Sequence, residues 1–164
     1  MCGPKHCGKT AAGAALSGCS FIDLDVEIES VSGRTARELY EEGVDIFRAA
    51  ETAALRQALS AASGTVLVIA AGGGITDNTP AMALLKESRA ALVFLRVSAK
   101  TAWERIRARP LPPFLRTKNP EETHRLLHER RNANCKKAAA YTIEAEGKTP
   151  VQIAAEIAAL FEKR

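Results

Sequence analysis

A chain of 164 residues, 46% of them apolar, is long enough for one compact domain and too short for two. Its formal net charge of +4 favours an anionic small molecule or a nucleotide as ligand, whereas scattered basic residues and 5% aromatic residues argue against a nucleic-acid partner. No apolar run could cross a bilayer and no signal peptide precedes the first motif, so we expect a cytoplasmic monomer with no membrane partner.

The first motif is a glycine-rich loop with the pattern G-x-x-x-x-G-K-T, formed by Gly3, Pro4, Lys5, His6, Cys7, Gly8, Lys9 and Thr10. Such a loop surrounds the phosphates of ATP with backbone N–H groups, and the N-terminus of the following helix points at the same anion. Lys9 would reach the β- and γ-phosphates, and the Thr10 hydroxyl would ligate Mg²⁺. All eight residues are therefore predicted to bind ATP.

Hydrophobic patterning predicts helices and strands that alternate along the rest of the chain. The predicted strands are residues 21–22, 65–70, 91–97 and 141–144. The predicted helices are residues 9–16, 26–31, 45–61, 80–87 with Thr79 as N-cap, 100–107 and 119–137, together with a helix that opens in a capping box at Thr35 and a last helix capped by Thr149. This alternation indicates a single α/β domain in which helices cover both faces of a parallel sheet.

Two aspartates follow the predicted strand at residues 21–22, at the sheet edge where α/β proteins bind ligands. Thr10 and Asp23 can organise Mg²⁺, which prefers hard oxygen ligands. Asp25 is two residues further on, so it can face the phosphoryl acceptor, orient the attacking hydroxyl or accept its proton.

Arginines and glycines at later positions suit a carboxylated acceptor. Arg48 and Arg131 are candidates because a guanidinium group binds a carboxylate through two parallel hydrogen bonds. Three consecutive glycines, residues 72–74, would offer backbone N–H groups to the substrate. Four prolines in residues 109–120 prevent regular structure, so this segment is predicted to be a mobile lid from which Arg109 closes over the γ-phosphate.

Taken in order, these motifs resemble those of the shikimate kinase family over nearly the whole chain. The similar elements are the D-x-D of residues 23–25, the F-R-x-x-E of residues 47–51, the triple glycine of residues 72–74, the R-P-L of residues 109–111 that begins the lid, and Arg131 at the arginine of R-x-P-L-Y. Their common order makes the resemblance far more specific than the phosphate loop alone.

The resemblance implies ATP-dependent phosphorylation of the 3-hydroxyl of shikimate, with Mg²⁺, to give shikimate 3-phosphate and ADP in aromatic amino-acid biosynthesis. It also implies a three-layer fold whose parallel sheet has about five strands in the order 2-3-1-4-5. The site residues predicted from motifs and resemblance together are Lys9, Asp25 and Arg109 for catalysis; residues 3–10 and Arg109 for ATP; Asp25, Arg48, Gly72, Gly73, Gly74 and Arg131 for shikimate; and Thr10 and Asp23 for the metal.

The chain departs from the family pattern at two places. Only Met1 and Cys2 precede the phosphate loop, where the family has an apolar strand, so we expect the first strand to be largely missing, as in a truncated or late-starting chain. Residues 132–135 replace the family's proline, leucine and tyrosine after Arg131. Either Arg105 or Arg107 could stack on adenine.

Two other functions remain open at this point. One is phosphorylation of another small acid such as gluconate, although the triple glycine and F-R-x-x-E favour shikimate. The other is nucleotide binding without turnover, which the short first strand and the altered residues 132–135 would suit.

Overall fold

The computed structural model describes residues 1–61 and 66–161, in which helices alternate with short parallel strands. The strands are β1 (Ser20–Asp23), β2 (Leu67–Ala70), β3 (Val93–Arg96) and β4 (Tyr141–Glu144). The helices are α1 (Lys9–Ala14), α2 (Leu24–Ser32), α3 (Ala36–Glu42), α4 (Val44–Ser60), α5 (Thr79–Glu87), α6 (Ala99–Arg107), α7 (Pro120–Ala138) and α8 (Pro150–Phe161). Within the described ranges, no helix combines the length and apolarity needed to span a membrane.

Met1 and Cys2 join two pairs of parallel strands, β1–β2 and β3–β4. The Met1 carbonyl accepts a hydrogen bond from the Ala71 N–H at 2.8 Å. On the other side, Cys2 donates to the Val93 carbonyl and accepts from the Leu95 N–H, both at 2.9 Å. The spatial order is therefore β1, β2, residues 1–2, β3, β4, which is the predicted order 2-3-1-4-5 with a first strand of two residues.

The sheet is buried between two helical layers because successive side chains of each strand point to opposite faces. In β3, Leu95 packs in one apolar cluster with Ile153 and Ile157, which form the predicted apolar stripe of α8. Its neighbour Phe94 packs in the other cluster, which includes Leu55 of α4. The predicted three-layer α/β architecture is confirmed.

Four helices, α2, α4, α5 and α6, begin one or two residues earlier than predicted, and in α2 and α5 the reason is an N-cap upstream of the expected one. The helix predicted at residues 26–31 begins at Leu24, since the Asp23 carboxylate caps it by accepting from the Asp25 N–H at 3.1 Å. Helix α5 is capped by Asn78, and Thr79, the predicted cap, is its first residue. Asp and Asn are among the strongest N-cap residues.

The other boundaries differ by a few residues. The strand predicted at residues 65–70 is observed over Leu67–Ala70, and Thr65 lies outside the described residues. The strand predicted at residues 91–97 is observed over Val93–Arg96, whereas β4 has its predicted ends. A single 3-10 turn, Pro113–Leu115, interrupts the irregular lid.

The predicted capping box opens α3. The Thr35 hydroxyl accepts from the Glu38 N–H at 3.2 Å, and the Glu38 carboxylate accepts from the Thr35 N–H at 2.8 Å. Two backbone donors that a helix leaves unpaired are thereby satisfied.

We expect Thr35→Ala to lower the free energy of unfolding by about 1 kcal/mol, the usual loss for an N-cap threonine, in urea denaturation. Thr35→Ser keeps the hydroxyl and should stay within a few tenths of a kcal/mol of the wild-type value. An equal loss in both variants would contradict the capping role.

Candidate active site

A cleft of about 670 Å³ opens at the carboxyl ends of β1 and β2. The phosphate loop forms one side, the glycines after β2 form the floor, and α3, the lid and α7 form the other side. Most of the predicted site residues line it, namely Gly3, Pro4, Lys5, His6, Gly8, Lys9, Thr10, Asp23, Asp25, Gly72, Gly73, Gly74, Arg109 and Arg131.

The phosphate loop is braced by its own lysine and by a buried cysteine. Lys9 Nζ crosses the loop and donates to the carbonyl oxygens of Gly3 and Pro4, both at 2.9 Å. Cys7 is 1% exposed, and its N–H donates to the Pro4 carbonyl at 3.2 Å. The Cys7 side chain therefore supports the loop from the core instead of lining the cleft.

The predicted metal ligands lie together at the cleft mouth. Thr10 Oγ1 donates to Asp23 Oδ2 at 2.5 Å, so one hydroxyl and one carboxylate oxygen face the same space. Hard oxygen donors of this kind fit Mg²⁺, which commonly takes one or two protein oxygens and completes its shell with phosphates and water. The described part of the chain has no cluster of three or more His, Cys, Asp or Glu side chains placed for a metal ion.

Asp25 lines the cleft with an exposed side chain, although the protein around it removes part of its hydration. This desolvation raises the pKa of Asp25, and the nearby Asp23 carboxylate raises it further. Lys5 and Lys9 act in the opposite direction. A carboxylate with a raised pKa is a stronger base toward a hydroxyl proton.

Glu51 is a buried carboxylate in the cleft wall that the sequence motifs did not assign to the site. It is 2% exposed, and its Oε2 accepts from Asn78 Nδ2 at 2.8 Å. Burial raises the pKa of Glu51 to about 7, although the hydrogen bond from Asn78 lowers it. Its place in F-R-x-x-E was the signal that could have identified it.

An aromatic wall that sequence reasoning missed lies beside the predicted carboxylate-binding arginine. The Tyr40 ring is 5.7 Å from Phe47 and 5.9 Å from Phe114, measured between ring centroids. The Arg131 guanidinium lies over the Phe114 ring at 5.4 Å. A cation beside an apolar wall suits a small cyclic acid. The wall joins α3, α4 and the lid, so no local pattern could have indicated it.

The lid, residues 109–120, is docked on α3. Arg37 donates to the Leu111 carbonyl at 3.2 Å, and Arg116 pairs with Glu41 at 2.9 Å. These side chains are exposed, so each contact contributes little and can be broken readily. That the lid is mobile remains a prediction.

The candidate arginines Arg131, Arg48 and Arg105 have different surroundings. Arg131 is 23% exposed and lines the cleft, whereas Arg48 lies in a neighbouring depression, where it pairs with Asp45 at 3.4 Å. The guanidinium of Arg48 is thus not brought into the cleft. Arg105 donates to the His6 carbonyl at 3.1 Å and so lies against the phosphate loop.

A family model, curated relatives and solved structures each point to the shikimate kinase family. Residues 5–162 match the family model described as shikimate kinase. A curated shikimate kinase of Salinispora arenicola is 34% identical, over 98% of this chain and 95% of that protein. The solved structure of shikimate kinase from Acinetobacter baumannii in complex with shikimate has a TM-score of 0.84 and 32% identity, over 99% of this chain and 90% of that one. The shikimate kinase structure from Bacteroides thetaiotaomicron has a TM-score of 0.76 and 28% identity, over 98% and 94%.

The raised pKa of Glu51 should make the free energy of unfolding depend on pH. Between the ordinary pKa of 4.5 and the folded value of about 7, the unfolded chain releases the Glu51 proton while the folded chain keeps it. The free energy of unfolding should therefore fall as pH rises through this window, by up to about 1.4 kcal/mol per pH unit from this group. Glu51→Gln should remove that fall, as measured by urea denaturation from pH 5 to pH 8.

The matched control is Glu29→Gln, which removes one carboxylate from an exposed position of α2. It should keep the wild-type slope of stability against pH. Parallel curves for the wild type and Glu51→Gln would contradict the raised pKa.

Proposed function

The chain belongs to the shikimate kinase family, and we propose that it transfers the γ-phosphoryl group of ATP to the 3-hydroxyl of shikimate. The products are shikimate 3-phosphate and ADP, in aromatic amino-acid biosynthesis. The observation that carries the proposal is one continuous cleft that runs from the phosphate loop, past Asp25, to Arg131. Such a cleft can hold a triphosphate and a small acceptor in line for phosphoryl transfer.

ATP binds with its phosphates in the loop of residues 3–10, at the N-terminus of α1. Lys9 exchanges its two loop carbonyls for the β- and γ-phosphate oxygens, which are stronger acceptors because they are charged. Arg109 approaches from the lid and offsets the charge on the transferred group. Arg105, already beside the loop at His6, is the arginine that stacks on adenine.

Mg²⁺ would be held by Thr10 and Asp23, whose oxygen atoms lie within hydrogen-bonding distance of each other. When bound there, the ion would neutralise part of the charge on the β- and γ-phosphates.

The acceptor end supplies a base and a carboxylate site. Asp25 accepts the proton of the 3-hydroxyl while the oxygen of that hydroxyl bonds to the γ-phosphorus. The bond between the γ-phosphorus and the β–γ bridging oxygen breaks, and its electron pair leaves with ADP. Arg131 binds the carboxylate of shikimate, and Gly72, Gly73 and Gly74 allow the substrate to approach the backbone.

Arg48 would join Arg131 by changing rotamer. Its pair with Asp45 is exposed, at 39% for the Arg48 side chain and 91% for that of Asp45, and such pairs contribute at most about 1 kcal/mol. A charge-assisted hydrogen bond to a substrate carboxylate in the cleft would outweigh it.

One chain supplies the phosphate loop, Asp25 and Arg131 to the same cleft, so the proposed reaction on small molecules needs no residue of a second subunit. We place this activity in the cytoplasm, where ATP is available.

The test of the proposed function is a coupled assay of ADP formation with shikimate, gluconate or no acceptor. We expect turnover that depends on shikimate and a background rate with the other two. Turnover with gluconate instead would indicate a different acceptor. Stoichiometric ATP binding without turnover on any acceptor would indicate a nucleotide-binding protein that has lost the reaction.

Arg48→Ala should raise the KM for shikimate at least about tenfold and leave the KM for ATP within about twofold, because it removes one partner of the substrate carboxylate. Asp45→Asn removes the ion pair that holds Arg48 at the surface, so the KM for shikimate should stay the same or fall. If Arg48→Ala changes the KM for ATP instead, the assignment of Arg48 to the acceptor is wrong.

A further inference from the structure

Three side chains of α7 converge on one carboxylate outside the predicted site. Asp77 ends the turn that follows the three glycines, and its side chain is 12% exposed. Its Oδ2 accepts from Arg131 Nε at 3.1 Å and from Arg130 Nη2 at 2.8 Å, and its Oδ1 accepts from Asn134 Nδ2 at 3.5 Å. Asp77 therefore fixes the glycine turn to α7 at the level of Arg131.

The guanidinium of Arg131 is constrained on three sides. Asp77 takes the Nε–H, and the Phe114 ring covers one face. Gly74 lies beside Nη2 so closely that a Cβ at position 74 would be 2.8 Å from that atom. A guanidinium group has five N–H donors in a rigid plane, and the contact through Nε leaves the edge formed by its two terminal nitrogens for a second carboxylate.

Asp77 affects the binding of the acceptor carboxylate to Arg131 in two opposite ways. Its negative charge reduces the attraction between Arg131 and a substrate carboxylate, while its hydrogen bond reduces the rotamer freedom that Arg131 would lose on binding. Arg130 pairs with the same carboxylate, so the three side chains together keep a net charge of +1 and the loss of attraction is small. The orienting effect should therefore dominate.

We propose that Asp77 is a positioning residue for the phosphoryl acceptor: it holds Arg131 with its terminal edge toward the acceptor carboxylate. This rests on the proposed role of Arg131 in binding that carboxylate. It also gives a function to the altered residues 132–135, because Asn134 of this stretch contacts Asp77. In place of packing by proline, leucine and tyrosine, a polar contact here supports the position of Arg131.

The experiment compares the wild type with Asp77→Asn, Arg131→Ala and Arg130→Ala in the full chain. Each is assayed with shikimate and with its methyl ester, which lacks the carboxylate charge, and melting temperatures are recorded. Asp77→Asn should raise the KM for shikimate roughly tenfold, change kcat less than about threefold and leave the KM for ATP unchanged. The preference for shikimate over the ester should shrink in the same variant.

Arg130→Ala is the matched control, because Arg130 contacts the same carboxylate but its side chain is 59% exposed. It should raise the KM for shikimate less than Asp77→Asn does, because it leaves the hydrogen bond between Asp77 and Arg131 in place. If Arg130→Ala reproduces the effect of Asp77→Asn, the carboxylate acts by fixing α7 in general and the proposal is overturned.

Failure of this inference and failure of the proposed function give different results. If Arg131→Ala abolishes the preference for shikimate over the ester while Asp77→Asn leaves or lowers the KM for shikimate, Arg131 binds the carboxylate and Asp77 does not position it. If Arg131→Ala keeps the preference, the role proposed for Arg131 is wrong and the inference falls with it. Should Asp77→Asn fail to fold, Asp77→Glu moves the carboxylate by one methylene, and an unchanged KM for shikimate would overturn the proposal.

Discussion

Backbone pairing by Met1 and Cys2 is the constraint on which the rest of the structure depends. Among the described residues, only these two lie between β2 and β3, and their hydrogen bonds on both sides join two separate strand pairs into one sheet. Unpaired backbone groups in the middle of a sheet would be costly, so this short contact stabilises both halves. It also sets the position of the phosphate loop, which begins at the next residue, relative to the ends of β2 and β3.

From that fixed point, the site is assembled at one edge of the sheet. Strand β1 ends at Asp23, Asp25 lies in the first turn of α2, and the turn after β2 supplies the three glycines. Helix α7 crosses the same edge and brings Arg131 against Gly74. Parallel strands end on the same side, which is why residues far apart in sequence converge there.

The sequence predicted what depends on local pattern and on ordered motifs. The phosphate loop, the capping box at Thr35 and the strand order are all observed, and membership of the family agrees with the resemblance. The features that the sequence did not predict depend on contacts between residues far apart in the chain. The stacking of Phe114 on Arg131 and the convergence of α7 on Asp77 join segments that no periodicity links. The motif placed Arg48 on the correct helix but did not predict that its side chain lies outside the cleft, because a motif specifies a position in the chain and not a rotamer.

The polar contacts between the lid and α3 each contribute little free energy to holding the lid in place. An exposed ion pair such as that of Arg116 with Glu41 contributes at most about 1 kcal/mol, which corresponds to a population ratio of about five. The hydrogen bond from Arg37 to Leu111 is of the same modest kind. The lid is also held by apolar packing, because Leu115 is fully buried and Phe114 packs against Tyr40 and Arg131. Rising ionic strength should therefore weaken the polar contacts between the lid and α3 while leaving this apolar packing in place.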